Sequence, residues 1–309
     1  MDTKYIIHII DDEKFTDNLI YMFNAVPFLE NKYIFLSQKP CIKFSSTNSE
    51  LLKNVIIDSQ DYKKLLYEAK FAAAVIIHFL SENKLKFIKD VSYKTNLVWN
   101  IWGIDVYNKL SPWEWNLYQK KTQRFFFNQH NNRFYNKPVL SSILFFYYHF
   151  KAKYKRYGMS NIYGRFNYFS SVLPNEESLI KKYFPLKANY IPFNYNFVDN
   201  YLEEKQIMDL PICGNNLLIG NSATYSNNHL DIIDRIRSID LGKSKIILPL
   251  SYGNLQYREK IIELYSKQFK DRFIALTDFM PFSKYMSFIS SCNVCIMNHN
   301  RQQAVGNIV

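Results

Sequence analysis

Asn216-Leu-Leu-Ile-Gly-Asn-Ser222 is the stretch that decides the fold of this 309-residue chain. A short apolar run that ends in a glycine and polar turn residues is typical of a buried strand with a loop at its carboxyl end. Helical periodicity follows over Ser226–Ile239, with Ser226 as the candidate N-cap. The apolar stripe of this helix consists of Leu230, Ile233 and Ile236. Strand, glycine turn and helix in this order, followed by another apolar run at Lys245–Leu250, predict one βαβ unit of a parallel sheet.

The same alternation extends over most of the chain and predicts an α/β fold. In the second half we expect strands at Asn216–Ile219, Lys245–Leu250, Phe273–Leu276 and Asn293–Met297, and further helices at Leu255–Phe269 and Phe282–Ser291. In the first half we expect a helix at Phe15–Val26 and strands at Lys4–Ile10, Tyr33–Leu36, Val55–Ile57, Ala73–Phe79, Leu97–Ile101, Tyr168–Val172 and Lys187–Phe193. Two Rossmann-like domains account for this pattern, at 1–198 and 215–309, with a linker at 199–214.

The second domain has fewer predicted strands than a doubly wound domain usually contains. Its pattern ends after four strands, whereas such domains usually have five or six. We therefore expect the C-terminal domain to be incomplete at Val309 and to lack part of its binding pocket.

The basic residues are concentrated in one segment. The chain has a formal net charge of +12, and the segment from Tyr107 to Tyr157 carries ten basic residues and one acidic residue, Glu114. Such a cluster predicts an anionic partner, namely nucleic acid, phospholipid headgroups or a polyprenyl diphosphate. The aromatic residues interleaved with this charge, which are suited to a membrane surface, are Trp113, Trp115, Phe125–Phe127 and Phe145–Tyr148. No apolar run reaches the roughly 20 residues that span a bilayer, and the amino terminus lacks the features of a signal peptide.

Two motifs of the second domain have the chemistry of an anion site. Gly220-Asn-Ser222 follows the first strand of that domain, where glycine lets the backbone approach a phosphate and the polar side chains add donors. Arg301-Gln-Gln303, followed by Gly306, comes after the last predicted strand, and an arginine there can bind a diphosphate in bidentate fashion. The alternative for both motifs is an ordinary solvated turn.

Candidate catalytic residues follow two strands of the first domain. Trp99-Asn-Ile-Trp-Gly-Ile-Asp-Val-Tyr107 closes one strand. Trp99 and Trp102 supply flat aromatic faces of the kind that stack on sugars, or they belong to the core. Asp105 could take a proton from an acceptor hydroxyl, or it could cap the turn. His78 ends another apolar strand and is either a cleft residue or a core histidine. His8, within the first strand, is expected to be internal, and Asp11 and Asp12 are secondary candidates.

Several signatures are absent from the sequence. The chain has no Asp-x-Asp pair for a divalent metal, no GxxxxGK[ST], no GxGxxG and no GxSxG. Cys292-Asn-Val-Cys295 has no second cysteine pair, and alternation through Val294 and Ile296 favours packing in a buried strand. We therefore expect no metal, no disulfide and no cofactor.

Four ordered stretches of the chain resemble glycosyltransferase family 56, the bacterial TDP-N-acetylfucosamine:lipid II N-acetylfucosaminyltransferases of enterobacterial common antigen assembly. They occur in the family's order and at similar spacing, and weaker similarity, which includes His78, extends over most of the chain. The matching stretches are Trp99–Tyr107, Leu218–Ser222 with Ser226–Leu230, Ile247–Gly253, and Arg301–Gln303 with Gly306.

This resemblance implies a GT-B fold and a TDP-activated 4-acetamido-4,6-dideoxygalactose donor. It also implies a polyprenyl-diphosphate-linked saccharide acceptor and a peripheral enzyme at the cytoplasmic face of the bacterial inner membrane. The basic, aromatic segment suits that task, so we expect an anionic membrane surface as partner and no nucleic acid. The donor contacts that it implies are Gly220, Asn221, Ser222, Tyr252, Gly253, Arg301, Gln302, Gln303 and Gly306. It also implies that the Trp99–Tyr107 loop, with Trp99, Trp102 and Gly103, forms part of the cleft wall on the acceptor side.

Two other functions remain open at this point. An inactive remnant or binding module would account for a second domain that stops early. Nucleic-acid binding would account for the charge, although the sequence contains no known nucleic-acid-binding motif.

Overall fold

The computed structural model describes residues 4–11, 16–41, 43–44, 46–111, 114, 116–129, 138–193 and 214–304. Within these ranges, the side chains of residues 138–142 and 282 are not described. It divides the chain into two compact units, Met1–Leu110 with Ala152–Phe197, and Ser111–Lys151 with Val198–Val309. The sequence assigned residues 111–151 to the first domain, whereas here they cluster with the second. The predicted linker lies outside the described residues except for Gly214.

The first unit is built on a parallel sheet with its core on both faces. In chain order its strands are β1 (Tyr5–Ile10), β2 (Glu30–Ser37), β3 (Leu52–Ile56), β4 (Ala74–His78), β5 (Leu97–Asn100), β6 (Tyr168–Ser170) and β7 (Asn189–Tyr190). They lie in the order β3-β2-β1-β4-β5-β6-β7, and each neighbouring pair is parallel. The order reverses between β1 and β4, and ligands of open α/β sheets bind at such a switch point.

Helices connect these strands and cover the sheet. In chain order, the helices described up to residue 193 are α1 (Thr16–Asn24), α2 (Gln60–Glu68), α3 (Glu82–Asp90), α4 (Ile104–Tyr107), α5 (Lys120–Gln129), α6 (Pro138–Gly158), α7 (Ser160–Tyr163) and α8 (Glu176–Tyr183). Of these, α5 and α6 as far as Lys151 belong to the second unit. Residues of the central strands, such as Ile9 and Val75, are fully buried because both faces of a parallel sheet are covered. Among the described residues, no helix is long and apolar enough to cross a membrane.

The second unit contains a smaller parallel sheet with the same local order. Its described strands are β8 (Asn216–Ile219), β9 (Ile246–Pro249), β10 (Phe273–Leu276) and β11 (Cys292–Ile296), and the helices described after residue 214 are α9 (His229–Ile236), α10 (Leu255–Phe269) and α11 (Phe282–Ser290). The order β10-β9-β8-β11 repeats β3-β2-β1-β4 of the first sheet. The predicted stripe of Leu230, Ile233 and Ile236 is buried in this core. The α/β class and the parallel sheets are therefore confirmed.

Two local predictions in the second unit are wrong. Ser226 does not cap α9, since the residue before the helix is Asn228 and the Ser226 hydroxyl donates to Gln303 instead. The strand around Cys292 and Cys295 is not buried, because the described residues cover neither of its faces completely: Val294 and Cys295 are exposed, and Cys292 and Ile296 are half-buried. Both thiols are free.

Helix α5 packs against α9 and explains why residues 111–151 belong to the second unit. The Asp231 carboxylate accepts from the backbone N–H groups of Lys121 at 2.8 Å and Thr122 at 3.0 Å, at the start of α5. The Thr122 hydroxyl lies 3.1 Å from the hydroxyl of Tyr257, and Phe127 is fully buried. The expected membrane role of Phe125–Phe127 is therefore wrong for Phe127, while Trp113 and Trp115 lie outside the described residues.

Candidate functional site

The carboxyl end of β8 turns sharply at Gly220. This residue has a φ of +64°, which favours glycine. A Cβ at this position would lie 2.5 Å from Cε1 of His229 and 2.9 Å from Oδ1 of Asn227. Glycine therefore allows the side chains of Asn227 and His229 to pack directly against the backbone of this loop.

Asn227 and His229 hold the loop through one carbonyl group. The Asn227 amide donates to the carbonyl oxygen of Ser222 at 2.9 Å, and Nε2 of His229 lies 2.9 Å from the same oxygen. Because a carbonyl oxygen only accepts, the proton of the neutral imidazole is on Nε2. Burial lowers the pKa of His229 to about 4, so this imidazole is uncharged at neutral pH.

Gln303 joins the loop to Arg301. Its amide nitrogen donates to Oδ1 of Asn221 at 2.6 Å and to the Thr224 hydroxyl at 3.1 Å. Its amide oxygen accepts from Nε of Arg301 and from the Ser226 hydroxyl, both at 2.7 Å. This amide therefore orients the guanidinium group beside the glycine loop.

The segment after β9 completes the same cluster. The Asn221 amide donates to the Tyr252 hydroxyl at 2.7 Å. Gly253 has a φ of +121°, and a Cβ there would lie 2.4 Å from the carbonyl carbon of Ala223. Glycine is needed at this position because the two backbones are paired in a β-bridge.

The structure thus brings together most of the predicted donor contacts at the carboxyl edge of the second sheet. Gly220–Ser222, Tyr252–Gly253, Arg301 and Gln303 form one hydrogen-bonded cluster. Gln302 is buried, and Gly306 lies outside the described residues. One guanidinium, several amides and hydroxyls, and a backbone freed by glycine suit a diphosphate and the hydroxyl groups of a sugar.

Asn228 is a site residue to which the sequence assigned no role. It is fully buried and has a φ of +53°, a conformation that asparagine tolerates better than most residues. Its amide nitrogen donates to the carbonyl oxygens of Leu117 at 3.2 Å and Asn298 at 2.9 Å, and its amide oxygen accepts from Gln119 N–H at 2.7 Å. Asn228 therefore fixes the loop before α5 and the loop after β11 to the start of α9.

Asp105 supports the turn after β5. Its carboxylate accepts from the Trp99 indole N–H at 2.8 Å, from Trp102 N–H at 3.1 Å and from Leu80 N–H at 3.2 Å. Gly103, with a φ of +91°, lets the chain turn between them. Asp105 is only 3% exposed, and burial raises the pKa of its carboxyl group. The geometry gives Asp105 a positioning role, and a direct catalytic role stays a prediction.

His78 belongs to a chain of buried polar side chains across the first sheet. The Asn100 amide donates to Nδ1 of His78 at 3.0 Å, so the proton of His78 is on Nε2, which lies 3.0 Å from Nδ1 of His8. Nε2 of His8 in turn donates to Oδ1 of Asn31 at 3.0 Å. Burial lowers the pKa of both imidazoles, to about 4 for His8. His8 is internal, and His78 is a core histidine in this structure.

Asp11 lies at the switch point between β1 and β4. Its Oδ2 accepts from Nζ of Lys84 at 2.8 Å, and the fully buried ammonium also donates to the carbonyl oxygens of His78 and Phe79. The Asp11 side chain keeps 21% of its surface exposed. Phe79 has a φ of +56°, an uncommon conformation for a bulky residue and one often found at functional sites. The described residues contain no group of three or more carboxylate, imidazole and thiol side chains that could hold a metal.

Comparison with known proteins identifies the family. The model described as 4-alpha-L-fucosyltransferase glycosyl transferase group 56 matches residues 121–309. The chain belongs to glycosyltransferase family 56. The match begins at α5, within the second unit, and it ends at the last residue of the chain. The predicted family is therefore confirmed, and this glycosyltransferase carries its candidate donor cluster inside the matched region.

Solved structures confirm the predicted GT-B fold of this glycosyltransferase. An alpha-glucosyltransferase in complex with UDP and a 13-mer DNA is 13% identical with a TM-score of 0.50, over 94% of this chain and 71% of that chain. HepE from Anabaena, in complex with UDP and glucose, is 10% identical with a TM-score of 0.50, over 95% of this chain and 73% of that chain. At such identities the likeness concerns the fold.

Proposed function

We propose that this glycosyltransferase binds a nucleoside-diphosphate sugar at the cluster around Gly220, Asn221, Arg301 and Gln303. The observation that carries this proposal is the convergence of separate motifs at the carboxyl edge of the second sheet. The two structural neighbours, which were solved with UDP, support a nucleotide ligand. In our proposal the Arg301 guanidinium neutralises the diphosphate, and Gln303 holds it in position.

The proposed donor sugar is 4-acetamido-4,6-dideoxygalactose linked to TDP, and the proposed acceptor is a polyprenyl-diphosphate-linked saccharide of cell-surface polysaccharide synthesis. The four sequence stretches shared with family 56 and the fucosyl description of the matching family model support this choice. Such an acceptor places the enzyme peripherally at the cytoplasmic face of the bacterial inner membrane. We further propose that nucleic acid is not a partner, although the alpha-glucosyltransferase was solved with DNA.

We also propose Asp11 as the general base on the acceptor side. In the transfer, a hydroxyl oxygen of the acceptor attacks the anomeric carbon, the bond from that carbon to the diphosphate breaks, and the diphosphate leaves with the electron pair. The hydroxyl proton passes to the carboxylate. Two observations support this role: the Asp11 side chain is partly exposed at the switch point, and it forms an ion pair with Lys84. Asp105 and His78, in contrast, are buried.

Donor binding is tested by Arg301→Ala with TDP as the probe. Removing a charge-assisted hydrogen-bond donor costs about 1.5–3 kcal/mol, so we expect the Kd for TDP to rise about ten- to a hundred-fold in isothermal titration calorimetry. Arg237→Ala is the control, since Arg237 is an exposed arginine at the end of α9 and should leave the Kd unchanged. Equal affinity of wild type and Arg301→Ala for TDP would remove the proposed site.

The acceptor side is tested by Asp11→Asn in a transfer assay with the TDP sugar. Loss of a general base lowers kcat about a hundred-fold or more, and the Kd for TDP should not change. Asp58→Asn is the control, because Asp58 is an exposed carboxylate that follows β3 of the same sheet. Wild-type kcat in Asp11→Asn would exclude Asp11 as the base. Duplex DNA at about 0.15 M salt, added as a competitor, should not inhibit transfer.

A further inference from the structure

Helix α6 presents large apolar side chains to solvent along most of its length. The helix has 21 residues, and its side chains are described from Ile143 onward. Six of these side chains, each between 55 and 82% exposed, are Ile143, Phe146, Tyr147, Phe150, Tyr154 and Tyr157. Isolated exposed aromatics are normal on protein surfaces, but a contiguous exposed apolar patch marks an interaction site.

The six residues form a single stripe. Their spacing of three or four residues places them on one side of an α-helix, over a length of about 21 Å at 1.5 Å per residue. The opposite side of α6 is held in the protein, where the Tyr148 ring lies 5.8 Å from the ring of Phe127 and Nε of Arg156 donates to the carbonyl oxygen of Tyr183 at 2.9 Å. Packing of the inner side therefore directs the stripe outward.

Positive charge borders the stripe. The sequence of α6 contains four basic residues and no acidic residue. Nζ of Lys151 lies 5.5 Å from the ring centroid of Tyr147, and Nζ of Lys153 lies 5.8 Å from that of Tyr157. Lysines that extend along aromatic rings keep their ammonium groups at the edge of an apolar surface, as side chains at a membrane interface do.

We propose that the α6 stripe docks this enzyme on an anionic lipid bilayer, with the helix lying in the plane of the interface. Aromatic and aliphatic side chains of the stripe enter the boundary between headgroups and acyl chains, while Lys151 and Lys153 bind lipid phosphates. A second copy of the chain fits the stripe less well, because two helices with only positive charge repel each other. This inference deepens the proposed function and rests on it for the lipid-linked acceptor.

Co-sedimentation with lipid vesicles tests the docking surface without donor or acceptor. We expect the full chain to bind vesicles that contain phosphatidylcholine and one third phosphatidylglycerol, and to bind phosphatidylcholine vesicles at least tenfold more weakly. Phe146→Ser combined with Phe150→Ser should weaken binding at least tenfold, because each substitution removes apolar area from the interface. Phe279→Ser, at a 94% exposed phenylalanine in the second unit, is the control and should bind as wild type.

Charge is tested separately on the same vesicles. A lysine near an anionic surface contributes about 1 kcal/mol, so Lys151→Glu should weaken binding at least fivefold. Lys267→Glu makes the same change in net charge on α10 and should have less than a twofold effect. Unchanged binding in the stripe variants, or equal binding to neutral and anionic vesicles, would overturn the proposal.

Two further measurements separate the possible failures. If velocity ultracentrifugation shows a dimer that the stripe substitutions dissociate, and vesicle binding does not change, the stripe is an interface between two copies and lipid docking is refuted. If vesicle binding fails while TDP binds, the docking inference is wrong and the donor proposal stands. If TDP does not bind while the stripe governs vesicle binding, the donor proposal is wrong and the docking surface stands.

Discussion

Replacing Gly220 by alanine is the sharpest test of how the donor loop is built. Alanine at a φ of +64° costs about 1–2 kcal/mol. Its Cβ would also lie 2.5 Å from Cε1 of His229, a side chain that is fully buried and hydrogen-bonded to Ser222. Forcing such a side chain to move costs about 1–3 kcal/mol more. We therefore expect Gly220→Ala to destabilise the second unit by about 2–5 kcal/mol.

Gly242→Ala is the matched control for this substitution. Gly242 also has a positive φ, +51°, but a Cβ there meets no atom within 4 Å. Its replacement should cost only the conformational part, about 1–2 kcal/mol. The difference between the two variants measures the steric contact with His229.

Urea denaturation followed by far-UV circular dichroism gives the two free energies, and hydrogen exchange assigns the loss to peptides of the second unit. Because 1 kcal/mol shifts Tm by about 2–4 °C for a domain of this size, Gly220→Ala should melt about 10 °C below wild type. If Gly220→Ala and Gly242→Ala lose the same stability, the close packing of His229 behind the loop is refuted.

Three other predictions concern stability. The pKa of His8 and of His229 is about 4 in the folded protein and 6.5 for a free imidazole, so the folded state binds fewer protons than the unfolded state. Protonation of each imidazole should therefore lower the free energy of unfolding by about 3 kcal/mol as the pH falls from about 6.5 to 4. Urea melts at a series of pH values should show none of this loss above pH 7. Asp105→Asn should lower stability by about 1–3 kcal/mol in the same melts, because an amide cannot accept all three hydrogen bonds, and wild-type stability would contradict the turn-supporting role. Asp231→Ala removes the carboxylate that accepts from the first backbone N–H groups of α5, which should lower the stability of this helix by about 1–2 kcal/mol. Hydrogen exchange in α5 should therefore become about five- to thirty-fold faster, whereas Asp240→Ala should not change it.

Local sequence pattern predicted most of the second sheet. The bounds of β8, β10 and α10 agree residue for residue with the predicted ones, because short apolar runs between turn residues and a regular helical period are local signals. The end of β7 was less predictable. A strand was expected at Lys187–Phe193, but only Asn189–Tyr190 pair with β6, since the extent of an edge strand depends on its neighbour.

The donor cluster was predictable in its members and not in its connections. Glycine, amide and arginine residues after successive strands had to meet at one sheet edge, because parallel strands end on the same side. The sequence did not reveal that Gln303 links Asn221 to Arg301, or that Asn228 is buried at a left-handed position. Gln303 and Asn221 are 82 residues apart in the chain, and Asn228 bonds to Leu117 and Asn298 across 111 and 70 residues, so these contacts leave no local signal.

The sequence by itself determined the alternation of strands and helices, the family, and the strand ends that carry the donor motifs. All of these depend on residue order over a few positions, where propensity and periodicity act. Only the tertiary structure decided that Asp105 and His78 are buried and that α6 faces solvent with an aromatic stripe. When a helix has apolar residues on both sides, its sequence shows no difference in polarity that would distinguish the buried side from the exposed one. Burial of a polar side chain depends on which distant segments of the chain cover it, and local sequence does not show this.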